Sequence, residues 1–580
     1  MTSIYNIIDG NRAVSGLIIT LIYIALALLF GYIISGYIKK LYTDEEEKTW
    51  LYPISGRIVK FFEKFLNEDK NKQMKFKEYF FTLIMFNLFA GVIAFIFIFF
   101  QHDFPYSYAN NHMTLSLTFN TVISFLTNTD IQHYSNTFDL SILSWTFVIT
   151  GLMFLSAGTG FAASMAFIRG ILNDNGRIGN FYHDFLVSIF YLIFPLTILV
   201  TIIVIAMGIP ETLSSYINIY PIGSQAVKLP LGPVATLVSI KNIGTNGGGF
   251  YGANAAFPLG NPNWLTNIVE YISFMLIPVG SVISLGKVFD KRFGNMIVGV
   301  LVVIFVATSV LTFISEYIGI PVISSLGIFT GNITGKESYL GLASSSTFQV
   351  GAVFTSTGAS TGGIVDYTPT GLLGLLSQLV LNDPLGGVGT GIVNIFTYII
   401  FTLFITSLMI GKLPELMNIK IGSKEIKYST LSLITHPLII IIPLGFTLLL
   451  PLIMGTFYNG FPSNISNLLY EFASAASNNG SEAGGFLTNQ SYFNYLDGII
   501  MLLGRYLILG IQLLLAQQFA FKKPKTVYDK STIDTGSVSF GFMLLAVILM
   551  IGLLSYLPIF ALGPLYAWAK DFNFVVMGWI

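Results

Sequence analysis

The sequence has no cysteine and little charge, and both features narrow the possible functions. Among its 580 residues none is Cys, which excludes disulfide bonds, thiolate metal sites and cysteine nucleophiles. Only 10% of the residues are charged, whereas 53% are hydrophobic. A water-soluble chain of this length could not cover its surface with so few charges. The formal net charge is zero, so the composition indicates neither a nucleic-acid-binding surface nor an acidic tail.

Histidine is also scarce. The five His residues, at positions 102, 112, 133, 183 and 436, are scattered without metal-ligand spacing. Transition-metal sites that can be recognised from a sequence have ligands a few residues apart. The sequence therefore predicts no transition-metal site.

Ten apolar stretches are long enough to cross a membrane, because about 20 helical residues span the roughly 30 Å hydrocarbon layer. They lie at about 14–36, 79–100, 140–168, 185–208, 265–287, 295–317, 388–411, 431–455, 496–519 and 539–562. The sequence predicts an all-α polytopic membrane protein with about ten transmembrane helices.

Lysine and arginine are concentrated in alternate loops, and this predicts the orientation, because positively charged loops stay on the cytoplasmic side. Together, 23 of the 29 basic residues lie in the segments 39–77, 169–184, 287–294, 412–428 and 520–537. We therefore expect both termini to lie outside the cell.

Four outward segments combine a short apolar stretch with small polar residues and recur at a nearly constant spacing. Their sequences are LSLTFNTVISFLTNTDIQ, LVSIKNIGTNGGGFYGAN, STFQVGAVFTSTGASTGG and NLLYEFASAASNNGSEAGG. Their polar centres are Thr127, Gly244, Thr355 and Ser477, at intervals of 117, 111 and 122 residues. Such a period indicates internal repeats, so the sequence predicts four membrane-pore-membrane repeats plus two peripheral helices.

These repeats give a division of the chain and a function for the loops. The predicted units are a first helix with a basic loop (1–78), pore repeats at 79–184, 185–294, 295–428 and 429–537, and a last helix (538–580). Irregular backbone is tolerated at membrane depth only where it lines a cavity or is buried in protein. Rings of carbonyl oxygens replace the hydration shell of K⁺ in potassium filters. Four loops converging on one axis therefore predict a pseudo-fourfold K⁺ filter.

Several motifs carry a specific resemblance. GTNGGGF at 244–250, NP at 261–262, TSTG at 355–358, GGVGTG at 386–391 and NNGS at 478–481 resemble the potassium-binding A subunit of Kdp-type potassium-transporting ATPases, over essentially the whole chain. Matched motif by motif, the resemblance implies a filter of Thr127, Asn128, Thr129, Gln132, Gly244, Thr245, Asn246, Gly247, Thr355, Ser356, Thr357, Gly358, Ser477, Asn478, Asn479 and Gly480. It also identifies Phe250 as the phenylalanine that closes the second loop.

The resemblance implies a pump divided among several chains. This chain would capture external K⁺ and pass it sideways, through an intramembrane tunnel, to a P-type ATPase catalytic subunit. A single-span accessory subunit and a small membrane peptide subunit would complete the complex. The expected location is the cell membrane of a bacterium, and K⁺ is the transported ion.

Glycines and charges inside the predicted spans are candidates for a gate or pathway, because intramembrane charges are costly. Arg505 lies within the ninth span, and Lys412 lies at the inner end of the seventh, where it can instead extend to the membrane surface. Asp383, Gly386 and Gly387 belong to LNDPLGGVGTGI, a glycine-rich break that would interrupt the seventh span.

Acidic residues follow three of the four loops. Asp130, Asp366 and Glu482 could form a vestibule that concentrates cations. The alternative is that these carboxylates only solvate the loops.

ATP-hydrolysing machinery is not recognisable in the sequence. There is no G-x-x-x-x-G-K-[ST] motif, and no predicted cytoplasmic segment exceeds about 45 residues, which is short for a nucleotide-binding domain. We therefore predict a non-catalytic subunit without an ATP site. A stand-alone K⁺ channel or cation symporter of the same superfamily is the first alternative. A membrane enzyme that uses Glu270 and Asp383 is the second.

Overall fold

The computed structural model describes residues 2–104, 112–134, 137–220, 225–320, 331–382, 384–458, 460–522 and 533–577. Of residues 2–11, 553 and 572–577 only the backbone is described. This part of the chain is almost entirely helical, with two short β-hairpins as its only sheets.

Nine long apolar helices in the described ranges can cross a membrane. They are Arg12–Tyr42 (the greater part of the helix Thr2–Tyr42), Phe76–Phe99, Ser144–Leu172, Phe181–Ala206, Trp264–Val288, Lys291–Ile318, Thr390–Ile410, Ser423–Leu448 and Ser491–Ala520. A tenth span results if Val538–Gly552 and Leu554–Asp571, which meet at 49°, are counted as one. Each predicted apolar stretch overlaps one of these helices, and the predicted all-α polytopic fold is confirmed.

Four shorter helices precede the predicted filter loops, and we call them the pore helices. They are Leu115–Leu126, Val234–Ile243, Leu342–Phe354 and Ser463–Ala476. At 1.5 Å per residue, helices of 10 to 14 residues are too short to cross the hydrocarbon layer. Most of their side chains are buried among the long helices, so each pore helix is enclosed by protein.

The seventh span is broken into two helices. Pro369–Val380 follows the third filter loop, and Thr390–Ile410 continues after a gap of nine residues. Gly386 and Gly389 have φ of 56° and 85° within this gap, values that glycine adopts at little cost. The predicted interruption therefore exists, and it is preceded by a half-helix that the sequence interpretation did not separate from the loop.

The first helix packs along the helix Trp264–Val288. Gly31 lies against Val279, and Gly280 lies against Ile34. Small residues let two helix backbones approach closely inside a membrane. The first helix is thus attached to the outside of the second repeat.

The remaining elements lie outside the spans. The helix Tyr52–Leu66 lies in the basic segment between the first two spans. The strands Tyr216–Ile219 and Val227–Pro230 form an antiparallel hairpin in which Tyr216 pairs with Pro230, and Glu415–Leu416 pairs with Ile419–Lys420. Short helices or helical turns are Glu46–Lys48, Gln101–Asp103, Thr137–Asp139, Asn254–Ala256, Ile364–Asp366 and Pro451–Met454.

Candidate ion-binding site

The loops after the four pore helices share one backbone conformation, and we call residues 127–130, 244–247, 355–358 and 477–480 the filter turns. The second and fourth residues of every filter turn have positive φ. The values are 62° and 60° for Asn128 and Asp130, 48° and 116° for Thr245 and Gly247, 48° and 68° for Ser356 and Gly358, and 52° and 98° for Asn478 and Gly480. Four stretches of unlike sequence therefore have the same path.

Each filter turn also makes the same backbone hydrogen bond to its pore helix. The N–H of the third residue donates to the carbonyl five residues earlier. The four bonds are Thr129 to Ser124 at 2.9 Å, Asn246 to Lys241 at 2.8 Å, Thr357 to Ala352 at 2.8 Å and Asn479 to Ser474 at 2.9 Å. This is the bond by which a left-handed residue ends a helix. It uses the amide of the third residue and leaves its carbonyl directed away from the pore helix.

The third-residue carbonyls of the four filter turns surround a common axis. A Cβ atom placed on Gly247 would lie 2.4 Å from the Thr357 oxygen, 2.9 Å from the Asn479 oxygen and 3.2 Å from the Thr129 oxygen. A Cβ atom on Gly480 would lie 1.9 Å from the Thr129 oxygen and 3.4 Å from the Asn246 oxygen. Any side chain at these glycines would fill the space between the carbonyls.

Side chains fasten neighbouring filter turns to one another. The Asn128 amide donates to the Thr245 carbonyl at 2.7 Å, and the Ser356 hydroxyl donates to the Ser477 carbonyl at 2.8 Å. The Asn478 amide donates to Thr129 Oγ1 at 2.8 Å. These bonds connect the first turn to the second, the third to the fourth and the fourth to the first, so the ring is held from outside its axis.

The break in the seventh span contacts the filter directly. The backbone N–H of Val388 donates to Thr245 Oγ1 at 2.8 Å, and a Cβ atom on Gly387 would lie 2.8 Å from the same oxygen. Thr245 is β-branched and adopts a left-handed φ, which is unfavourable. The bond to Val388 therefore helps to hold a strained residue of the filter.

A small cavity of about 30 Å³ lies next to this break. Asn128, Ser356, Asn478, Gly387 and Arg505 are among the residues that line it. Arg505 is buried, and its Nη2 donates to the Ser156 carbonyl at 2.8 Å. Within the described ranges no carboxylate lies within 4 Å of its guanidinium. A buried positive charge therefore lies beside the filter turns.

The other predicted pathway residues have different positions. Phe250 is buried against Trp145, with ring centroids 5.3 Å apart, and lines neither this cavity nor the outer one described below. It packs the second loop from behind, and its assignment as a gate or pathway residue stays a prediction. Lys412 is exposed just after the end of the helix Thr390–Ile410, a position for surface solvation. Asp383 lies outside the described residues, and Gly386 lies in the break.

Gln132 contacts the second filter loop from the first. Its Oε1 accepts from the Gly249 N–H at 2.8 Å, and its Nε2 donates to the Gly249 carbonyl at 3.1 Å. Its own backbone N–H donates to Glu482 Oε1 at 2.6 Å. Gln132 thus links three repeats around the filter without contributing a carbonyl to the ring.

A cavity of about 450 Å³ lies on the opposite side of the filter turns from the break. Asp130, Glu482 and Glu337 are among the residues that line it. Asp366 does not line it, because its carboxylate lies against Gly335. Two of the three predicted vestibule carboxylates are therefore at the cavity, and Glu337 was missed.

The sequence interpretation also missed a buried ion pair behind the second filter turn. Lys241 in the pore helix lies 3.3 Å from the Glu270 carboxylate, and both side chains are buried. Lys241 Nζ also donates to Asn254 Oδ1 at 2.9 Å, and the Asn254 amide donates to the Gly247 carbonyl at 2.6 Å. The charge of Glu270 is thus paired with that of Lys241 behind the second filter turn. A lysine within an apolar pore helix was the available signal.

Several known proteins are similar to this chain in sequence or in fold. A crystal structure of the potassium transporter TrkH from Vibrio parahaemolyticus is similar in fold, with a TM-score of 0.51 and 13% identity, covering 87% of this chain and 99% of that one. Potassium-transporting ATPase potassium-binding subunits from Thermoplasma volcanium and Staphylococcus aureus are 60% and 34% identical. These alignments cover 98% and 94% of this chain and 96% and 98% of the relatives.

The family model described as KdpA, Potassium-transporting ATPase A subunit, matches residues 21–568. This match spans all four filter turns, eight of the nine long helices and the greater part of the first. The chain therefore belongs to the family of potassium-transporting ATPase A subunits.

Proposed function

We propose that this chain is the potassium-binding and translocating subunit of an ATP-driven K⁺ importer. K⁺ enters the outer cavity, loses its hydration water in the ring formed by the filter turns, and leaves through an intramembrane path to a P-type ATPase subunit. A single-span accessory subunit and a small membrane peptide subunit complete the complex. The chain lies in the cell membrane with both termini outside.

The single observation that carries this proposal is the ring of third-residue carbonyls. Carbonyl oxygens held around an axis replace the hydration shell of a monovalent cation. Thr129, Asn246, Thr357 and Asn479 supply them, and each amide is already engaged by its pore helix. The backbone N–H groups of these four residues therefore do not face the ring, where they would repel a cation.

The pore helices add to the attraction. Each ends at a filter turn, so the negative end of its dipole is directed at the ring. Four such ends surround one point, and the pore helices are buried, where electrostatic interactions are less screened. Asp130 and Glu482 lie at the outer cavity on the entry side, where each carboxylate adds negative charge once it is ionised.

The proposed exit is lateral, because the cavity below the filter turns is small and carries a buried cation. Arg505 lines this cavity of about 30 Å³, and its charge opposes straight passage of K⁺ to the cytoplasm. The break 381–389 contacts the filter through Val388 and can report filter occupancy to the seventh span. ATP hydrolysis is assigned to the partner chain, because the relatives are named as the potassium-binding subunit of a potassium-transporting ATPase.

The test is K⁺-stimulated ATPase activity of the purified complex with a Gly247→Asp substitution. The new side chain would enter the space between the carbonyls. Gly208→Asp is the matched control, because Gly208 has a φ of 103° against 116° for Gly247 but no neighbouring atom within 4 Å of a Cβ. We expect the control to respond to K⁺ like the wild type and Gly247→Asp to need far more K⁺ or not to respond.

Equal K⁺ dependence of the two variants would contradict the assignment of the filter. A stand-alone transporter gives a different result, because no ATPase would co-purify and the reconstituted chain alone would pass K⁺. That outcome would contradict the assignment as a pump subunit. The filter would then be tested by comparing K⁺ flux through the reconstituted wild-type chain with flux through the chain that carries Gly247→Asp.

A further inference from the structure

Three ligand-type side chains from distant parts of the chain meet behind the first and fourth filter turns. His133 follows the first filter turn, Glu471 lies in the fourth pore helix, and Asp497 lies in the helix Ser491–Ala520. His133 Nε2 lies 3.4 Å from Asp497 Oδ2 and 3.8 Å from Glu471 Oε1. One ligand atom from each residue lies within 4.8 Å of the other two. We call these three residues the His–Glu–Asp cluster.

The atoms that face one another in this cluster have no hydrogen-bond partner among the described residues. They are His133 Nε2, Glu471 Oε1 and both carboxylate oxygens of Asp497. All three side chains are completely buried. Burying an unsatisfied carboxylate is costly, so the cluster requires a positively charged occupant at its centre.

Surrounding contacts orient the ligands towards that centre. Asn494 Oδ1 lies 2.7 Å from His133 Nδ1, and an amide oxygen only accepts hydrogen bonds, so the ring proton is on Nδ1. The Asn494 amide nitrogen donates to Ser116 and Asn489, which fixes this orientation of the amide. When the imidazole is neutral, the lone pair of Nε2 then points at the carboxylates. An outer hydrogen bond on the second ring nitrogen is the usual support of a metal-bound histidine.

The second carboxylate is held in the same way. Glu471 Oε2 accepts from the backbone N–H of Ala483 at 3.1 Å, which leaves Oε1 free to face the centre. His133 and Glu471 therefore each have one atom used by the surrounding protein and one atom directed at the cluster, whereas both oxygens of Asp497 are without a hydrogen-bond partner in the part of the chain that the structure describes. This division of roles resembles that of a preformed metal site.

The dimensions and the imidazole ligand together indicate the class of ion. Zn²⁺ binds His nitrogen and carboxylate oxygen at about 2.0–2.2 Å, which places tetrahedral ligand atoms about 3.4 Å apart. The observed separations of 3.4 and 3.8 Å from Nε2 are close to this. A dication also balances the two carboxylates when the imidazole is neutral. We infer that the His–Glu–Asp cluster binds one first-row transition-metal dication of the Zn²⁺ type through His133, Glu471 and Asp497.

Such an ion would fasten the seam between the first and fourth repeats. The cluster lies close to the outer cavity. His133 is adjacent in sequence to Gln132, and Ala483, which donates to Glu471, is adjacent to Glu482; Gln132 and Glu482 both line that cavity. The three ligands come from the segment after the first filter turn, the fourth pore helix and the ninth span, so the ion stabilises the filter ring and takes no part in conducting K⁺.

The alternative occupant is a proton on Nε2, which would make His133 an imidazolium paired with the two carboxylates. Metal content separates the two cases. The complex is purified, reloaded with Zn²⁺, freed of excess metal by gel filtration and analysed by elemental mass spectrometry. His133→Gln and Asp497→Asn remove ligands with little change in volume. His183→Gln is the matched control, because His183 is also a buried histidine beside carboxylates, with Glu63 at 2.6 Å and Glu46 at 3.9 Å.

We expect one more Zn²⁺ per complex in the wild type and in His183→Gln than in His133→Gln and Asp497→Asn. The unfolding temperature of the wild type should fall when the metal is chelated and recover on adding Zn²⁺, with no such response in His133→Gln. The inference is overturned if His133→Gln holds as much Zn²⁺ as the wild type. It is also overturned if a folded wild-type complex that responds to K⁺ takes up no Zn²⁺ beyond the level of His133→Gln.

Discussion

Replacing Gly358 by alanine tests the carbonyl ring with a single methyl group. Gly358 has a φ of 68°, and a Cβ there would lie 2.1 Å from the Asn479 carbonyl oxygen. Gly341→Ala is the control, because Gly341 has a φ of 75° and no atom within 4 Å of a Cβ. Both variants place a side chain on a residue with positive φ, which costs roughly 1–3 kcal/mol, but only Gly358→Ala disturbs the filter.

The size of the effect follows from the displacement. Ordinary contact begins at 3.4 Å, so the Asn479 carbonyl must move by 1.3 Å to accommodate the methyl group, the difference between 3.4 and 2.1 Å. A charged group gains about 1.5–3 kcal/mol from a well-placed polar partner. Loss of one of the four carbonyls therefore predicts a K⁺ affinity reduced about tenfold to a hundredfold.

The assay is the K⁺ concentration for half-maximal ATPase stimulation of the purified complex. Gly358→Ala should raise this concentration, whereas Gly341→Ala should leave it at the wild-type value. Unfolding temperatures of both variants are measured alongside, and they should fall by a similar amount. A similar K⁺ dependence in both variants, or a shift only in Gly341→Ala, would refute the reasoning.

Three further predictions concern charges around the filter. Lys241→Met leaves Glu270 buried without its ion-pair partner, so it should lower the free energy of unfolding by about 3–5 kcal/mol. The double variant Lys241→Met with Glu270→Leu should recover part of the lost stability, as measured by thermal unfolding. Burial and the nearby Glu471 carboxylate raise the pKa of Glu482 to about 8, so it gains charge above that pH. At low salt, the K⁺ concentration for half-maximal ATPase stimulation should then fall roughly twofold between pH 7 and 9. This is the effect of one added unit charge about 10 Å from the ion in water. Glu482→Gln should abolish the change. Arg505→Gln should increase passive K⁺ flux in reconstituted vesicles without ATP, and unchanged flux would contradict its proposed role.

The helices could be predicted because each is a long apolar stretch. Composition alone fixed the class of protein, and periodicity of the small polar loops located all four filter turns. The break in the seventh span was also predictable, since Pro384 and three glycines interrupt an apolar run. The short helix before the break, Pro369–Val380, was not recognised as a helix in the sequence, because it is too short to span the membrane and comes soon after the third filter turn.

The geometry of the filter could not be predicted from residue types. Thr245 and Ser356 have left-handed φ values, although Thr and Ser residues favour other conformations. These values follow from the way the pore helices end and not from the residue types. The boundaries of the four pore repeats stay a prediction. Phe250 was assigned by motif position, and its packing depends on Trp145, a neighbour far away in the sequence.

Long-range contacts account for the other misses. Glu337 reaches the outer cavity, while Asp366 turns away, although both lie in the same outward segment. His133, Glu471 and Asp497 are separated by hundreds of residues or by a pore helix and a loop, so no local spacing could connect them. Only the closed ring of repeats brings the first and fourth together.

The most direct measurement is an experimental density map of the purified complex in K⁺, compared with the same complex exchanged into Na⁺. We expect a peak in K⁺ on the axis between the carbonyls of Thr129, Asn246, Thr357 and Asn479, and a weaker or displaced peak in Na⁺. Gly247→Asp should remove the peak while leaving the helices in place. A K⁺ peak elsewhere in the chain, with nothing between these four carbonyls, would contradict the assignment of the filter.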